Sequence, residues 1–299
     1  MEKKTVLRKL AFLLLMALFG GLGPLVRAIG LPSSVTACLR AWISAAALGA
    51  FLLVSRRRVD RAETRRTLVP MLLSGVLIGL DWIGLFASYG YTTIATATVC
   101  YYIAPIVVLL GAAPLLRERF TLRHLLCALA AFVGMVFVSG VAETGFAAAD
   151  VRGPLFALFG ALAYAGVVLI NKKYPGGDSL VRTAIQLAAA ALLTTPYVLL
   201  TERAPISLTP KGVALLLLLG VVLTAIAYIA YFTLIVHIPS RTVAIFSYAD
   251  PLVAVLISVF FLGEGMSVFG MIGTALIIGA ALLSELGGRE EKHKEDTPC

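Results

Sequence analysis

Charged side chains are scarce in this chain: Asp, Glu, Lys and Arg make up 14% of its 299 residues, against about 25% in soluble domains. That excludes an ordinary soluble domain. Polar sequence is short as well. Ten apolar blocks, each about 20 residues and so long enough to cross about 30 Å of hydrocarbon as a helix, consume about 200 residues. The rest serves nine connections and two tails, with no room for a further domain. Cysteine is rare. Of four, Cys38, Cys100 and Cys127 lie in apolar segments and Cys299 ends a polar tail; none has CxxC or Cys/His spacing, which excludes a disulfide framework. His124, His237 and His293 form no pair at metal-ligand spacing and are read as solvated. Neither a Walker A sequence nor HExxH occurs, so no cofactor and no metal is expected.

What is present is hydrophobic: 60% of residues, with mean hydropathy +0.97. Charged and Gly/Pro breaks divide the chain into ten expected spans, 7–28, 33–54, 67–89, 92–116, 122–141, 153–171, 179–200, 210–236, 242–262 and 267–286. The N-terminus, with Lys3, Lys4, Arg8 and Lys9 before an apolar run, imitates a secretory signal. It lacks a small-residue cleavage site and runs on past Pro24, so it reads as the first span. The formal charge of +9 does not point to nucleic acid, because the basic residues cluster beside apolar segments, as in Arg56, Arg57, Arg58, Arg61, Arg65 and Arg66. They read as topology signals. With the N-terminus in the cytoplasm, 20 Lys and Arg fall inside and 4 outside, with Arg40 left within a span. Both termini are therefore expected in the cytoplasm of a multi-pass protein, in a plasma membrane of bacterial type.

Shifting the sequence by 146 residues against itself aligns Tyr102 with Tyr248, Pro105 with Pro251, Glu118 with Glu264, Thr96 with Thr242, Gly20 with Gly166 and Gly30 with Gly176. Tyr-x-x-Pro followed 13 residues after the proline by Glu occurs once in each half. The chain reads as a tandem duplication of a five-span unit. Five is odd, so the second copy enters the membrane from the opposite side. The expected fold is all-α, ten transmembrane helices as two inverted five-helix repeats. Residues 1–10 form a cytoplasmic N-terminus, 11–141 the first repeat, 142–152 an outer loop, 153–286 the second repeat and 287–299 a charged, disordered cytoplasmic tail. Inverted repeats commonly build secondary transporters around one midplane site.

A charge at the centre of a span costs roughly 2.5 to 3.5 kcal/mol on insertion scales, so each one needs a partner, a wet cavity or a function. Three stand out: Arg40, Asp81 and Asp250. At 1.5 Å per residue, Asp250 lies about 14 Å from the inner end of span nine, while Arg40 and Asp81 lie about 10 and 12 Å from the outer ends of theirs. Pro251 disfavours helix at Asp250 and frees a carbonyl, making a candidate binding element; the alternative is a proline kink with the carboxylate paired to Tyr102 or Tyr248. Equal depth permits an Arg40–Asp81 salt bridge. The sharper alternative makes Asp81 a proton carrier that engages Arg40 when deprotonated. Ser74, Asp81 and Ser88 share one helical stripe, as do Thr224, Tyr228 and Tyr231, and these either line a cavity or pack helices. Tyr102 and Tyr248 are the preferred cavity tyrosines, with Tyr101 beside them; Tyr164, Asn171 and Gln186 fill the corresponding role in the second half. Trp42 and Trp82 are read as packing or lipid-facing. Glu118 and Glu264 sit at turns, where they either cap helix ends or gate.

These features together resemble the drug/metabolite transporter superfamily in its ten-span, EamA-like form. The resemblance spans about residues 11–286. It rests on Leu39, Arg40 and Ala41, the Tyr102 to Pro105 and Tyr248 to Pro251 segments, Asp250, Glu118 and Glu264. Family members commonly carry Glu before the second proline, where this chain has Asp250; the first half has Ala104, so the acid is asymmetric. The resemblance implies a secondary transporter, an exporter, of a small organic metabolite such as an amino acid. Coupling would come from a proton or solute gradient, or the protein is a uniporter. The alternatives are an intramembrane enzyme, for which two buried carboxylates are the only raw material, and a non-transporting membrane sensor or scaffold.

Overall fold

The computed structural model describes residues 2–55, 59–145, 150–203, 207–262 and 267–295, and their side chains except 2, 258, 261, 262 and 285–295. Arg56, Arg57, Arg58, Glu264 and Cys299 lie outside the described residues, and so does the side chain of His293. All regular structure among the described residues is helical. Eight segments are long and apolar enough to cross a membrane: α1 (Lys3–Ile29), α2 (Ser33–Val54), α3 (Arg61–Ser88), α4 (Ile94–Leu116), α6 (Arg152–Lys173), α7 (Ser179–Thr201), α8 (Pro210–Ile235) and α9 (Ser240–Ile257). Two more are apolar but shorter, α5 (Leu122–Val138) and α10 (Val268–Ser284). The stretch 139–141, expected in span five, instead turns at Gly140, whose φ of 75° suits glycine. The helix of α10 runs on to Glu295, so much of the expected disordered tail is helical.

Polar residues at the connections start these helices. Asp60 accepts from the N–H groups of Ala62 and Glu63, Thr93 from Thr96, Asp178 from Leu180 and Thr209 from Gly212, each satisfying donors that a helix start leaves free. His124, expected to be solvated, is only 1% exposed; its Nδ1 accepts from the Thr121 N–H at 3.2 Å, closing a capping box.

Two segments break near mid-length. In α4 the helices Ile94–Tyr101 and Ala104–Leu116 flank the break, and in α9 Ser240–Phe246 and Ala249–Leu262 do so. Pro105 and Pro251 lie just beyond, at helix positions where a missing N–H costs little. Asp250, expected to be pushed out of helical geometry, is therefore already helical, and the break falls two residues earlier. In α4 the Ile106 N–H turns to the Ile103 carbonyl at 3.0 Å, which releases the Tyr102 carbonyl. The Tyr248 hydroxyl donates to it at 3.0 Å. In α8 the helix relaxes into a π turn over Val221–Ile226, which holds one extra residue relative to a regular helix.

The bundle packs α3 against α6 and α7, α2 against α7 and α8, α4 against α6, α1 against α8 and α9, and α5 against α10. Large side chains such as Leu14, Leu53 and Leu199 face outward, more than 70% exposed, as the hydrocarbon of a bilayer allows.

Candidate functional site

Side chains from α1, α2, α3, α4, α6, α8 and α9 enclose a cavity of about 300 Å³. It runs from mid-bundle toward Tyr89, just past the end of α3. Tyr102, Tyr164, Tyr228 and Asp250 line it, with Arg40, Asp81 and Pro105, all singled out in the sequence. Its walls are aromatic. Trp82 meets Tyr228 edge-on with centroids 6.4 Å apart, and Phe19 lies 5.9 Å from Tyr228.

Arg40 and Asp81 both face this space, yet no ion pair joins them among the described residues. The Arg40 guanidinium instead stacks over Trp82 at 4.2 Å from the ring centroid, a contact worth about 0.5 to 2 kcal/mol. Arg40 Nε and Asp81 Oδ1 are buried without hydrogen-bond partners. The Tyr101 hydroxyl adjoins the Asp81 carboxylate and the Tyr102 hydroxyl adjoins that of Asp250. Adjacent tyrosines on a broken helix thus lie beside two acids on different helices. Trp82, read in the sequence as packing or lipid-facing, holds the arginine; Trp42 faces outward and donates to the Thr195 hydroxyl at 2.9 Å.

Several other singled-out residues lie away from the cavity. Tyr248 is fully buried, its hydroxyl committed to the Tyr102 carbonyl, and Pro251 is buried behind it. Asn171 and Gln186 belong to a closed polar cluster between α3, α6 and α7. Asn171 donates to Ser74 Oγ at 2.8 Å, while its Oδ1 accepts from Gln186 and from Arg182, both at 2.8 Å. Of the two stripes, Asp81, Tyr228 and Tyr231 reach the cavity. Ser74 joins the polar cluster, Ser88 donates to the Leu85 carbonyl, and Thr224 spans the π turn to the Leu219 carbonyl at 2.8 Å.

Below the cavity, toward the end marked by Lys172, three layers close the bundle. Tyr164 and Tyr231 share a hydrogen bond of 2.7 Å. The Asn171 cluster follows. At the surface, Glu118 accepts from the backbone N–H and hydroxyl of Ser240 at 2.8 and 2.9 Å, capping the start of α9 from the other half of the chain. Lys172, its side chain 5% exposed, lies 3.5 Å from Glu118 and donates to the carbonyls of Ile235 and Ile238 at the end of α8. Counting Lys172 and Arg182 as topology charges missed both roles, since a charge count carries no information on burial.

Residues 7–140 and 151–286 each match the family described as the EamA-like transporter family. A Bacillus subtilis protein named Uncharacterized transporter YxxF is 23% identical over 284 residues, covering 95% of this chain and 90% of that protein. An Archaeoglobus fulgidus protein named Uncharacterized transporter is 27% identical over 278 residues, with 92% and 94% covered. Protein PecM of Dickeya dadantii is 23% identical over 236 residues, with 76% and 78% covered. One solved structure, described as "Crystal structure of protein", superposes with a TM-score of 0.82 at 22% identity over 94% of this chain and 98% of that one, a likeness of fold.

Proposed function

The chain belongs to the EamA-like transporter family and is a multi-pass membrane transporter, and we propose that it exports a small organic metabolite, an amino acid or a related solute. It works by alternating access at a mid-bundle site between two inverted five-helix repeats. One observation carries this reading: the cavity wall is built from residues 146 apart. Trp82 and Tyr228, Leu85 and Tyr231, Phe86 and Phe232, Tyr101 and Ser247, and Ala104 and Asp250 all line it. Two copies of one unit present equivalent positions to a shared space when the axis relating them passes through that space. The bond from Tyr248 to Tyr102, again 146 apart, fits the same axis. The helix contacts agree, since α3 on α7 is matched by α8 on α2, and α4 on α6 by α9 on α1.

With the N-terminus in the cytoplasm, the cavity opens outward and the Lys172 end is the inner seal. Arg40 near the mouth suits a carboxylate, Asp250 at mid-depth an ammonium group, and the aromatic wall an apolar side chain between them. Asp81 is the candidate proton carrier: closing the mouth would bring it to Arg40, giving both unpartnered atoms a mate and tying closure to its protonation.

The test has two steps. Metabolites released by cells with and without the protein are compared by mass spectrometry, and the solute so identified is followed in proteoliposomes. Flux supports the carrier; turnover without flux would favour an intramembrane enzyme, and neither would favour a scaffold. Labelling of cysteines placed at Arg117 and Gly265 checks the inverted topology, which fails if both are reached from one compartment.

A further inference from the structure

The two repeat-related crossings of this bundle are built alike and occupied differently. Where α8 crosses α2, Gly220 lies against Arg40 and Ile43; where α3 crosses α7, Gly75 lies against Gln186 and Ala189. Arg40 and Gln186 are 146 apart, and so are Ile43 and Ala189. The two glycines are 145 apart, and the extra residue of the π turn beyond Gly220 restores 146 at Trp82 and Tyr228. A Cβ at Gly75 would collide with the Gln186 carbonyl, and one at Gly220 with the Ile43 side chain. Close approach of backbones is therefore required at both crossings.

At the first crossing Arg40 projects into the open cavity. At the second, Gln186 is 1% exposed and sealed in with Asn171, Arg182 and Ser74. The sealed cluster is incompletely satisfied. Arg182 is 4% exposed; its guanidinium donates to the Pro175 carbonyl and to Asn171, and among the described residues it has no acidic partner and its Nε no hydrogen-bond partner. Gln186 Oε1 is likewise buried and unpartnered. Unmet buried polar atoms destabilise a fold and call for an explanation. The pattern repeats across the halves: Thr36, which is 146 before Arg182, also has a buried hydroxyl without a partner, as Arg40 has at Nε.

Resting on the alternating-access reading above, we infer that Gln186, with Arg182 and Asn171 behind it, is the inward-facing counterpart of the Arg40 position. It is a second solute subsite, closed in this structure, that takes an anionic group such as a carboxylate when the Lys172 end opens. Arg182 supplies the positive charge, Gln186 a further polar contact, and Asn171 holds both. The two subsites differ in kind. The outer one carries its cation at the crossing itself, whereas the inner one carries a neutral amide there and its cation one helical turn away, at position 182.

Thiol labelling tests this in the full chain with its four native cysteines replaced. Single cysteines are placed as Gln186→Cys, as Ser74→Cys, a near-isosteric change in the same cluster, and as Arg40→Cys on the open side. Cells and inside-out vesicles are treated with two membrane-impermeant methanethiosulfonates, one a sulfonate and one a trimethylammonium. The thiols of Gln186→Cys and Ser74→Cys should react from the cytoplasmic side, the sulfonate about 10-fold faster than the cation, and adding Arg182→Gln should bring that ratio near unity. Should Gln186→Cys fail to fold, Ser74→Cys decides. Inert thiols in both inner variants, in folded protein that still moves solute and with Arg40→Cys labelled from outside, overturn the subsite and leave the carrier standing. Reaction of the Gln186→Cys thiol without preference for the sulfonate overturns its anionic ligand. Labelling of Arg40→Cys and Gln186→Cys from the same side overturns both readings.

Discussion

One end of the bundle holds a cavity that reaches Asp250, while the other is filled by a tyrosine pair, a buried amide and guanidinium cluster and an ion pair. Both ends use the same helices in repeat-related pairings, so helix composition does not set the difference. It lies in which polar atoms are joined. At the closed end, Glu118 and Lys172 satisfy the start of α9 and the end of α8, tying the turns of one half to the other. At the open end, Arg40 and Asp81 keep unpartnered atoms. On the alternating-access reading proposed above, this asymmetric pattern of satisfied and unsatisfied groups belongs to one of two exchangeable states.

The contrast can be broken at several points, and Asp250→Ala carries the largest expected effect. It removes the one mid-depth acid contributed by the second half, and loss of a charge-assisted contact of about 1.5 to 3 kcal/mol lowers solute flux in proteoliposomes roughly ten- to a hundred-fold. Next, Lys172→Ala leaves two helix-end carbonyls and Glu118 without their cation. The inner seal weakens, and labelling of a cavity cysteine from the cytoplasmic side should rise about 5- to 10-fold. Trp82→Leu keeps an apolar wall but removes the ring beneath Arg40; flux should fall about 3- to 10-fold, whereas Trp82→Phe retains part of it. Asp81→Asn sharpens the coupling question, since residual transport that no longer varies with pH supports proton carriage. The smallest effect belongs to Trp42→Phe, outside both ends. It loses one hydrogen bond at the outer surface, and flux should stay within about 2-fold of the parent.

Several parts of this site were legible in the sequence because they obey one-dimensional rules. Asp81 and Asp250 stand out wherever apolar runs are long, and the Tyr-x-x-Pro repeat marks both helix breaks. Helical periodicity puts Tyr228 and Tyr231 on one face with Thr224. Periodicity assigns a face, however, and never the neighbour across from it. Tyr102 and Tyr248 are equivalent in sequence, yet one lines the cavity and the other is spent on its partner's carbonyl. Asn171 and Gln186 have the spacing of cavity residues and sit in the sealed cluster. Equal depth permits an Arg40–Asp81 pair, whereas the guanidinium stacks on the ring one residue further along, Trp82.

By itself, the sequence determined that the chain is a multi-pass helical membrane protein and which charges lie within apolar spans, because hydropathy acts locally along the chain; Pro105 and Pro251 marked two of the helix breaks only to within a few residues. Tertiary structure alone decided which end is open and which basic residues are structural rather than topological. It also decided which member of each repeat-related pair meets the cavity. Those outcomes depend on helix crossings set by Gly75 and Gly220 and on partners brought together from different helices, where repeat-related sequence positions meet different surroundings.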